Sequence, residues 1–173
     1  MIETAGILLF RHRTRRQREV PLIHMGGPIW AKRDERAWSI PKGAIMPAEN
    51  PLDAARREFL EEVGSPIIGD CVFLGKFRQN SAKNLSVWSV EGDLDPATQK
   101  SVTFSMVWPL KSGHVQYFPE ADRCAWFTEK HALQKIVAGQ KKILETFFAS
   151  KRHESPRSTS ITSTGGCPIF CAG

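Results

Sequence analysis

Residues 43–65 read Gly-Ala-Ile-Met-Pro-Ala-Glu-Asn-Pro-Leu-Asp-Ala-Ala-Arg-Arg-Glu-Phe-Leu-Glu-Glu-Val-Gly-Ser. Three residues in this stretch mark the two ends of a helix. The side chain of Asn50 can cap the first turn, Pro51 suits the first helical position, and Gly64 suits the end. The stretch therefore predicts a loop followed by a helix from about Asn50 to Gly64.

The predicted helix has an apolar side and an acidic side. At about 100° per residue, the apolar residues fall within roughly 80° of one another and form a buried stripe: Leu52, Ala55, Phe59 and Val63. Glu58, Glu61 and Glu62 fall on an adjoining arc of about 100°. Three carboxylates are thus predicted to share one patch at the edge of the core.

These three glutamates repel one another, and the repulsion calls for a compensating cation. Unperturbed pKa values near ~4.3 leave all three carboxylates ionised at neutral pH. The pairing of Glu58 with Glu61 and with Glu62 disfavours the helix by roughly 0.2–0.5 kcal/mol each. Grouped carboxylates suit Mg²⁺ or Mn²⁺, which retain waters for substrate phosphates. The alternative is a solvated acidic face that Arg56 and Arg57 balance.

With Gly43 and Glu49 included, the stretch resembles the Nudix box, a pattern of seven fixed residues at set spacing. All seven fixed positions are matched. Phe59 stands where the pattern has a bulky aliphatic residue, and Ser65 departs from its last aliphatic position. The resemblance implies an α/β (α+β) fold, the Nudix-type α/β/α sandwich with a mixed β-sheet, over residues 1–149.

The resemblance also implies a reaction. It is hydrolysis of a nucleoside diphosphate linked to another moiety, by water attacking phosphorus with the help of Mg²⁺ or Mn²⁺. Catalysis then consists mainly of charge neutralisation, in-line positioning and water activation. The preceding Pro41-Lys42-Gly43 resembles the diadenosine tetraphosphate and diphosphoinositol polyphosphate branches of the family, so a dinucleoside polyphosphate is a candidate substrate. The alternative is a nucleotide- or RNA-binding module with little catalysis; the retained acids favour hydrolysis.

Site roles follow from the same resemblance. Glu58, Glu61 and Glu62 would bind the metal together with the backbone carbonyl of Lys42, and one glutamate would act as general base. The Lys42 ammonium would contact a substrate phosphate. Arg57 would orient one of the glutamates. Three further residues would support the site: Gly43, Glu49 and Gly64.

A second acidic element precedes a tryptophan later in the chain. Relatives of this family often carry a glutamate about six residues before such a tryptophan, and Glu120 stands six residues before Trp126. Glu120 is therefore the candidate fourth ligand or base, and Asp122 is its rival. Tyr117, the single tyrosine, is the candidate for stacking on a base, with Phe118, Phe77 and Arg78 as alternatives.

Short apolar and β-branched segments predict strands around the acidic helix. They are residues 3–10, 20–24, 38–43, 71–79, 84–91, 101–108 and 123–127, with 71–108 read as a three-stranded meander. Two further helices are predicted, one from Thr128 through Val137 and one over residues 140–148.

The net charge of +6 is concentrated rather than spread over a face. Five arginines lie between Arg11 and Arg18, where we predict a polar hairpin tip that is solvated, with nucleic acid as a second possibility. The absence of a basic leader and of a long apolar run predicts a cytoplasmic protein with no membrane contact. We expect a monomer or a homodimer. Residues 150–173, which include Cys167 and Cys171, are predicted to be a disordered tail rich in Ser, Thr and Gly.

Overall fold

The structure, a computed structural model, describes residues 1–15 and 17–150. The strands are β1 (Ile2–Thr14), β2 (Gln17–Met25), β3 (Trp38–Ser39), β4 (Lys42–Ala44), β5 (Val72–Arg78), β6 (Lys83–Glu91), β7 (Thr103–Val107), β8 (Val115–Pro119) and β9 (Ala121–Thr128). The helices are α1 (Pro51–Val63), α2 (Glu129–Lys135) and α3 (Lys141–Ala149), with short 3₁₀ turns at Pro96–Thr98 and Ala138–Gln140.

One mixed sheet forms the centre of the fold. Its strand order is β3-β2-β1-β6-β5, with β4 also pairing β1 and β9 also pairing β2. The β1–β6 pair is parallel, and the other pairs are antiparallel. Helix α1 packs against one face, and α2 and α3 pack against the other. The predicted mixed α/β sandwich is confirmed.

Strand β1 separates the two cores because successive side chains of a strand point to opposite faces. Ala5, Ile7 and Leu9 pack with α1. Leu8 joins the opposite core with residues from α2 and α3. The buried members of that core include Leu22, Leu85, Ile136, Ile143, Leu144 and Phe147.

Helix α1 forms where the sequence predicts it. The Asn50 side chain accepts a hydrogen bond from the Leu52 N–H at 2.9 Å, and Gly64 ends the helix with a left-handed φ of 82°. Phe59 is 1% exposed. The buried stripe differs slightly from the prediction, since Ala54 is fully buried and Leu52 packs partly buried at the edge of the core.

The long polar hairpin tip predicted between Arg11 and Arg18 is wrong. Strand β1 runs to Thr14 and β2 starts at Gln17, so most of the cluster lies in paired strands. Arg11 forms ion pairs with Glu19 at 3.1 Å and with Asp93 at 2.8 Å, and its guanidinium lies over the Trp126 ring. Because these acids offset the charge of the arginine, β1 continues beyond residue 10, where its apolar residues end. Arg16 lies outside the described residues.

The predicted three-stranded meander is also wrong in its third strand. Strands β5 and β6 form an antiparallel hairpin, but β7 pairs with β8 in a separate two-stranded sheet. We call residues 103–119 the arm. Strand β8, the second strand of the arm, was not predicted. Residues 115–119 are extended because they pair with β7, which lies across a turn from them.

Helix α2 ends two residues earlier than predicted. Ile136 adopts an extended backbone and is 1% exposed. The next residue, Val137, donates its N–H to the Trp38 carbonyl at 2.8 Å. This contact with the sheet edge ends the helix before Gly139, the residue expected to interrupt it.

Among residues 1–15 and 17–150, no helix has both the length and the apolar character to cross a membrane. Residues 151–173, which hold the predicted tail with Cys167 and Cys171, lie outside the described residues. The domain boundary at residue 149 therefore stays a prediction.

Gln140 fixes the strand segment that leads into β4. Its side-chain oxygen accepts from the Ile40 N–H at 3.0 Å, and its side-chain nitrogen donates to the Ser39 hydroxyl at 2.9 Å. Gln140 is 1% exposed, so water cannot replace these bonds. The amide thereby sets the path of the chain two residues before Lys42.

We expect Gln140→Leu to lower the free energy of unfolding by about 1–3 kcal/mol, because the buried Ile40 N–H loses its acceptor. Urea denaturation followed by circular dichroism measures the change. Gln134→Leu, on the exposed side of α2, is the matched control and should stay within about 0.5 kcal/mol of the native protein. Equal stability of the two variants would contradict the role given to Gln140.

Candidate functional site

Three elements bring acidic side chains together at one end of the central sheet. Strand β4 pairs antiparallel with β1, opposite Thr4 to Gly6. Helix α1 packs over both strands. The bend at Glu120 lies between β8 and β9. The site is thus built from a strand backbone, one side of a helix and one bend.

Glu62 is the buried member of this group, at 6% exposure. Its carboxylate accepts a hydrogen bond from the backbone N–H of Lys42 at 2.9 Å. Burial raises the pKa of Glu62 from 4.5 to about 7. The negative charges of Glu58 and Glu120 raise this pKa further, while the Lys42 charge and backbone N–H oppose the shift. Glu62 is therefore an acid that the fold makes hard to ionise without more positive charge nearby.

Glu58 packs against Gly43, the residue of β4 that follows Lys42. A Cβ placed on Gly43 would lie 2.0 Å from the carboxyl carbon of Glu58. A glycine at this position therefore lets the Glu58 carboxylate rest against the strand backbone. Glu58 and Glu62, one helical turn apart on α1, contact two consecutive residues of β4.

Arg57 links the loop before the helix to the acidic face. Its guanidinium donates to Glu49 at 2.9 and 3.0 Å, to Glu58 at 2.7 Å and to Glu61 at 3.3 Å. It also donates to the Ala44 carbonyl at 3.0 Å. The Arg57 bond, with a further one from the Met46 N–H, lowers the pKa of Glu49 to about 2. Arg57 thus contacts Glu49, Glu58 and Glu61 at once, while its orienting role and the supporting role of Glu49 stay predictions.

Glu120 faces the acids of α1. Desolvation raises its pKa, and the charges of Glu58 and then Glu61 raise it further, while Lys42 lowers it. Its backbone is held from two sides, since its N–H donates to the Val102 carbonyl and its carbonyl accepts from the Gly26 N–H, both at 2.9 Å. The sequence therefore identified a later acid that shares the electrostatic environment of the helix.

Asp122 contacts His24, which lies outside this group of acids. Its carboxylate lies 2.6 Å from Nδ1 of His24, whose other ring nitrogen lies 2.7 Å from the Arg33 carbonyl. His24 is fully buried. This geometry supports Glu120 over Asp122 as the acid of the site. Sequence reasoning missed the pair, because 98 positions separate its members and no local pattern joins them.

The candidates for base stacking are dispersed. Tyr117 lies on β8 of the arm and is 75% exposed. Phe118 packs against Phe104 on the opposite side of the arm, and Phe77 packs against the core of α2 and α3. Arg78 donates to the Asn80 carbonyl at 3.2 Å. Tyr117 is thus the candidate whose ring is available, three residues before Glu120.

The donor chemistry of the site fits a divalent metal. Within residues 1–15 and 17–150, no three His, Cys, Asp or Glu side chains stand in a ready metal-binding group, and the Glu58 and Glu61 carboxylates face the Arg57 guanidinium. The oxygen donors on offer are nonetheless those that Mg²⁺ and Mn²⁺ prefer. Burial is the main cause of the raised pKa values of Glu62 and Glu120, and the neighbouring carboxylates raise both further despite the Lys42 charge.

Comparison with protein families gives one match over most of the chain. The family described as NUDIX domain matches residues 3–147. Among curated proteins, RNA pyrophosphohydrolase of Pseudomonas savastanoi pv. phaseolicola is 50% identical over 40 residues, which is 22% of this chain and 25% of the relative. The chain thus spans about a quarter of the length of the curated relatives it matches.

Solved structures show the same fold at low identity. The binary complex of the C. elegans Ap4A hydrolase superposes with a TM-score of 0.57 and 19% identity, covering 83% of this chain and 94% of that one. The NUDIX domain of Shewanella oneidensis NrtR complexed with ADP ribose gives a TM-score of 0.56 at 14% identity, covering 85% and 86%. These likenesses establish the fold.

The raised pKa of Glu62 predicts a pH dependence of stability in metal-free protein. The folded state binds the Glu62 proton more tightly than the unfolded state, so its contribution is complete below about pH 4.5 and is lost as the pH rises through about 7. Relative to Glu62→Gln, the native protein should lose roughly 2–3 kcal/mol between pH 4.5 and 8. Urea unfolding in EDTA measures this difference. Glu145→Gln, on α3 at the opposite face, should behave as the native protein, and a parallel pH profile for Glu62→Gln would refute the expectation.

Gly43→Ala should damage the site more than the fold. The added Cβ meets the end of a flexible side chain, Glu58, which can move aside at small cost to stability but then leaves its place on β4. We expect Mn²⁺ affinity to fall about tenfold or more, with a melting temperature close to native. Electron paramagnetic resonance of free Mn²⁺ measures the affinity. Gly92→Ala, whose Cβ would meet a Leu9 methyl at 3.1 Å, is the control; equal Mn²⁺ affinities would show that Gly43 has no such role.

Proposed function

The chain belongs to the NUDIX domain family, and from this premise we propose that it is a divalent-metal-dependent pyrophosphohydrolase. Its substrate would be a nucleoside diphosphate linked to another moiety. The reaction is attack of water on phosphorus, with formation of a new P–O bond and breakage of the phosphoanhydride bond. The shared fold does not by itself decide the activity. The argument for the activity therefore rests on the residues of the site.

The observation that carries the proposal is the packing of Glu58 and Glu62 against consecutive residues of β4, with Glu61 and Glu120 close by. Burying like charges is costly unless a cation offsets them. Arg57 and Lys42 supply part of that positive charge. A divalent cation would supply the rest, and the same cation is what a pyrophosphate needs, because its own negative charge repels a nucleophile.

The residues of the site have different proposed roles in binding the metal and the phosphate. Glu58, Glu62 and the backbone carbonyl of Lys42 would hold the metal, which supplies charge neutralisation and lowers the pKa of water. The Lys42 ammonium, whose charge acts on Glu62 and Glu120, would bind a phosphate oxygen. Arg57 would keep Glu58 and Glu61 oriented.

The exposed fraction of each side chain indicates which carboxylates can reach a water molecule and take a proton from it. The Glu58 side chain is 12% exposed and the Glu61 side chain is 41% exposed, and Glu120 lies on an exposed bend. A general base must reach the attacking water. We therefore propose Glu61 or Glu120 as the base and the less exposed Glu58 and Glu62 as the principal ligands. The carboxylates of Glu61 and Glu120 would add further negative charge next to the metal.

A nucleoside polyphosphate is the proposed substrate class. The Ap4A hydrolase of C. elegans shares the fold, and the curated relatives are named RNA pyrophosphohydrolase; both names describe phosphoanhydride cleavage in a nucleotide. The arm beside Glu120 presents Tyr117 to solvent, where its ring is available to stack on a base. The arginine cluster offers less support for RNA binding, since Arg11 and Arg13 are paired with Glu19.

Glu61→Gln should lower kcat by about 10²–10⁴-fold, because it removes a carboxylate proposed as the general base. Phosphate release is measured with Mg²⁺ or Mn²⁺ on a panel of dinucleoside polyphosphates, nucleoside triphosphates, nucleotide sugars and 5′-triphosphorylated RNA. The matched control is Glu145→Gln, which should keep native activity. Native protein that cleaves none of the panel yet binds a nucleotide or RNA tightly would instead establish a binding module.

A further inference from the structure

The last turn of α1 is bound by a short segment, residues 99–102, which we call the strap. The final carbonyls of a helix have no partner within the helix. The Val102 N–H donates to the Glu61 carbonyl and the Lys100 N–H donates to the Val63 carbonyl, both at 3.1 Å. The carbonyl between them, that of Glu62, accepts from the side-chain nitrogen of Gln99 at 3.1 Å.

The same strap also holds the bend that carries Glu120. The Glu120 N–H donates to the Val102 carbonyl at 2.9 Å. The Ala121 N–H donates to the Ser101 hydroxyl at 3.0 Å. The carbonyl of Ala121 accepts from the side-chain nitrogen of Gln99 at 3.1 Å. The strap therefore lies between the helix that bears three of the acids and the bend that bears the fourth.

Gln99 differs from the rest of the strap because one side-chain group makes both connections. An amide nitrogen carries two N–H donors. One donor binds the backbone of Glu62 and the other binds the residue after Glu120. Since the NH₂ group is planar, the two carbonyls are held at a fixed separation and direction.

We propose that Gln99 is a positioning residue that sets the distance between the Glu120 carboxylate and the acids of α1. This inference rests on the proposed function. Carboxylates that act on one metal and one water must be placed within a fraction of an ångström, because small displacements cost large factors in rate. Gln99 would act through the backbone of Glu62 and Ala121, to which its amide is bound.

The competing explanation is that Gln99 caps the end of α1 and adds stability alone. A residue with that role would lower activity in proportion to the loss of folded protein, whatever stands at position 120. A positioning residue would matter only while Glu120 is a carboxylate. A double-mutant cycle separates the two explanations, because it measures the coupling between the residues.

The experiment compares Gln99→Leu, Glu120→Gln and the double variant, using the best substrate of the panel. We expect Gln99→Leu to lower kcat by about 10- to 100-fold with KM changed less than about threefold. In the Glu120→Gln background, the same change should cost less than about threefold. Gln116→Leu is the matched control, since its amide donates to the Trp108 carbonyl at 3.1 Å in the arm, and it should leave kcat unchanged.

Mn²⁺ affinity, measured by electron paramagnetic resonance, provides a readout apart from activity. Gln99→Leu should weaken Mn²⁺ binding about tenfold in protein with Glu120 and about threefold or less with Glu120→Gln. Gln99→Met, an unbranched replacement without donors, serves if the leucine variant does not fold. Equal losses of kcat or of Mn²⁺ affinity in both backgrounds would overturn the proposal. Absence of turnover by native protein would refute the proposed function, and the Mn²⁺ cycle would still decide the role of Gln99.

Discussion

The site depends on one constraint, the packing of a buried carboxylate against a strand backbone. Glu62 binds the Lys42 N–H and is shielded from water, so its charge is costly. The strand that receives it is held by pairing with β1 and by the buried Gln140 amide upstream. The central sheet, the acidic helix and the 3₁₀ turn before α3 are therefore all needed to place a single oxygen atom.

Charge balance explains the remaining residues around that carboxylate. Arg57 binds Glu49, Glu58 and Glu61, and so offsets part of their negative charge. Lys42 offsets Glu62 and Glu120. Because these two cations face four acids and Glu49, the balance of formal charge stays negative, which would favour the divalent cation proposed for the site.

The sequence predicted the parts of the site that local geometry determines. The cap at Asn50, the glycine at the helix end and the 3.6-residue period placed Glu58, Glu61 and Glu62 on one side of α1. The spacing from Gly43 to Gly64 led to the family, which the match over residues 3–147 establishes. The cap, the end glycine and the helical period depend on contacts within about a turn of helix, where sequence spacing and spatial distance nearly coincide.

Tertiary structure alone decided the features that join distant segments. It showed that the arginines near Arg11 continue a strand because Glu19 and Asp93 are beside them. It showed that Asp122 belongs to His24. The sequence by itself determined which acids exist and that three share a helix face, since helical periodicity is local. The fold determined which acid is buried, which cation faces it and how the later glutamate reaches it, because burial and charge proximity arise only when remote strands pack.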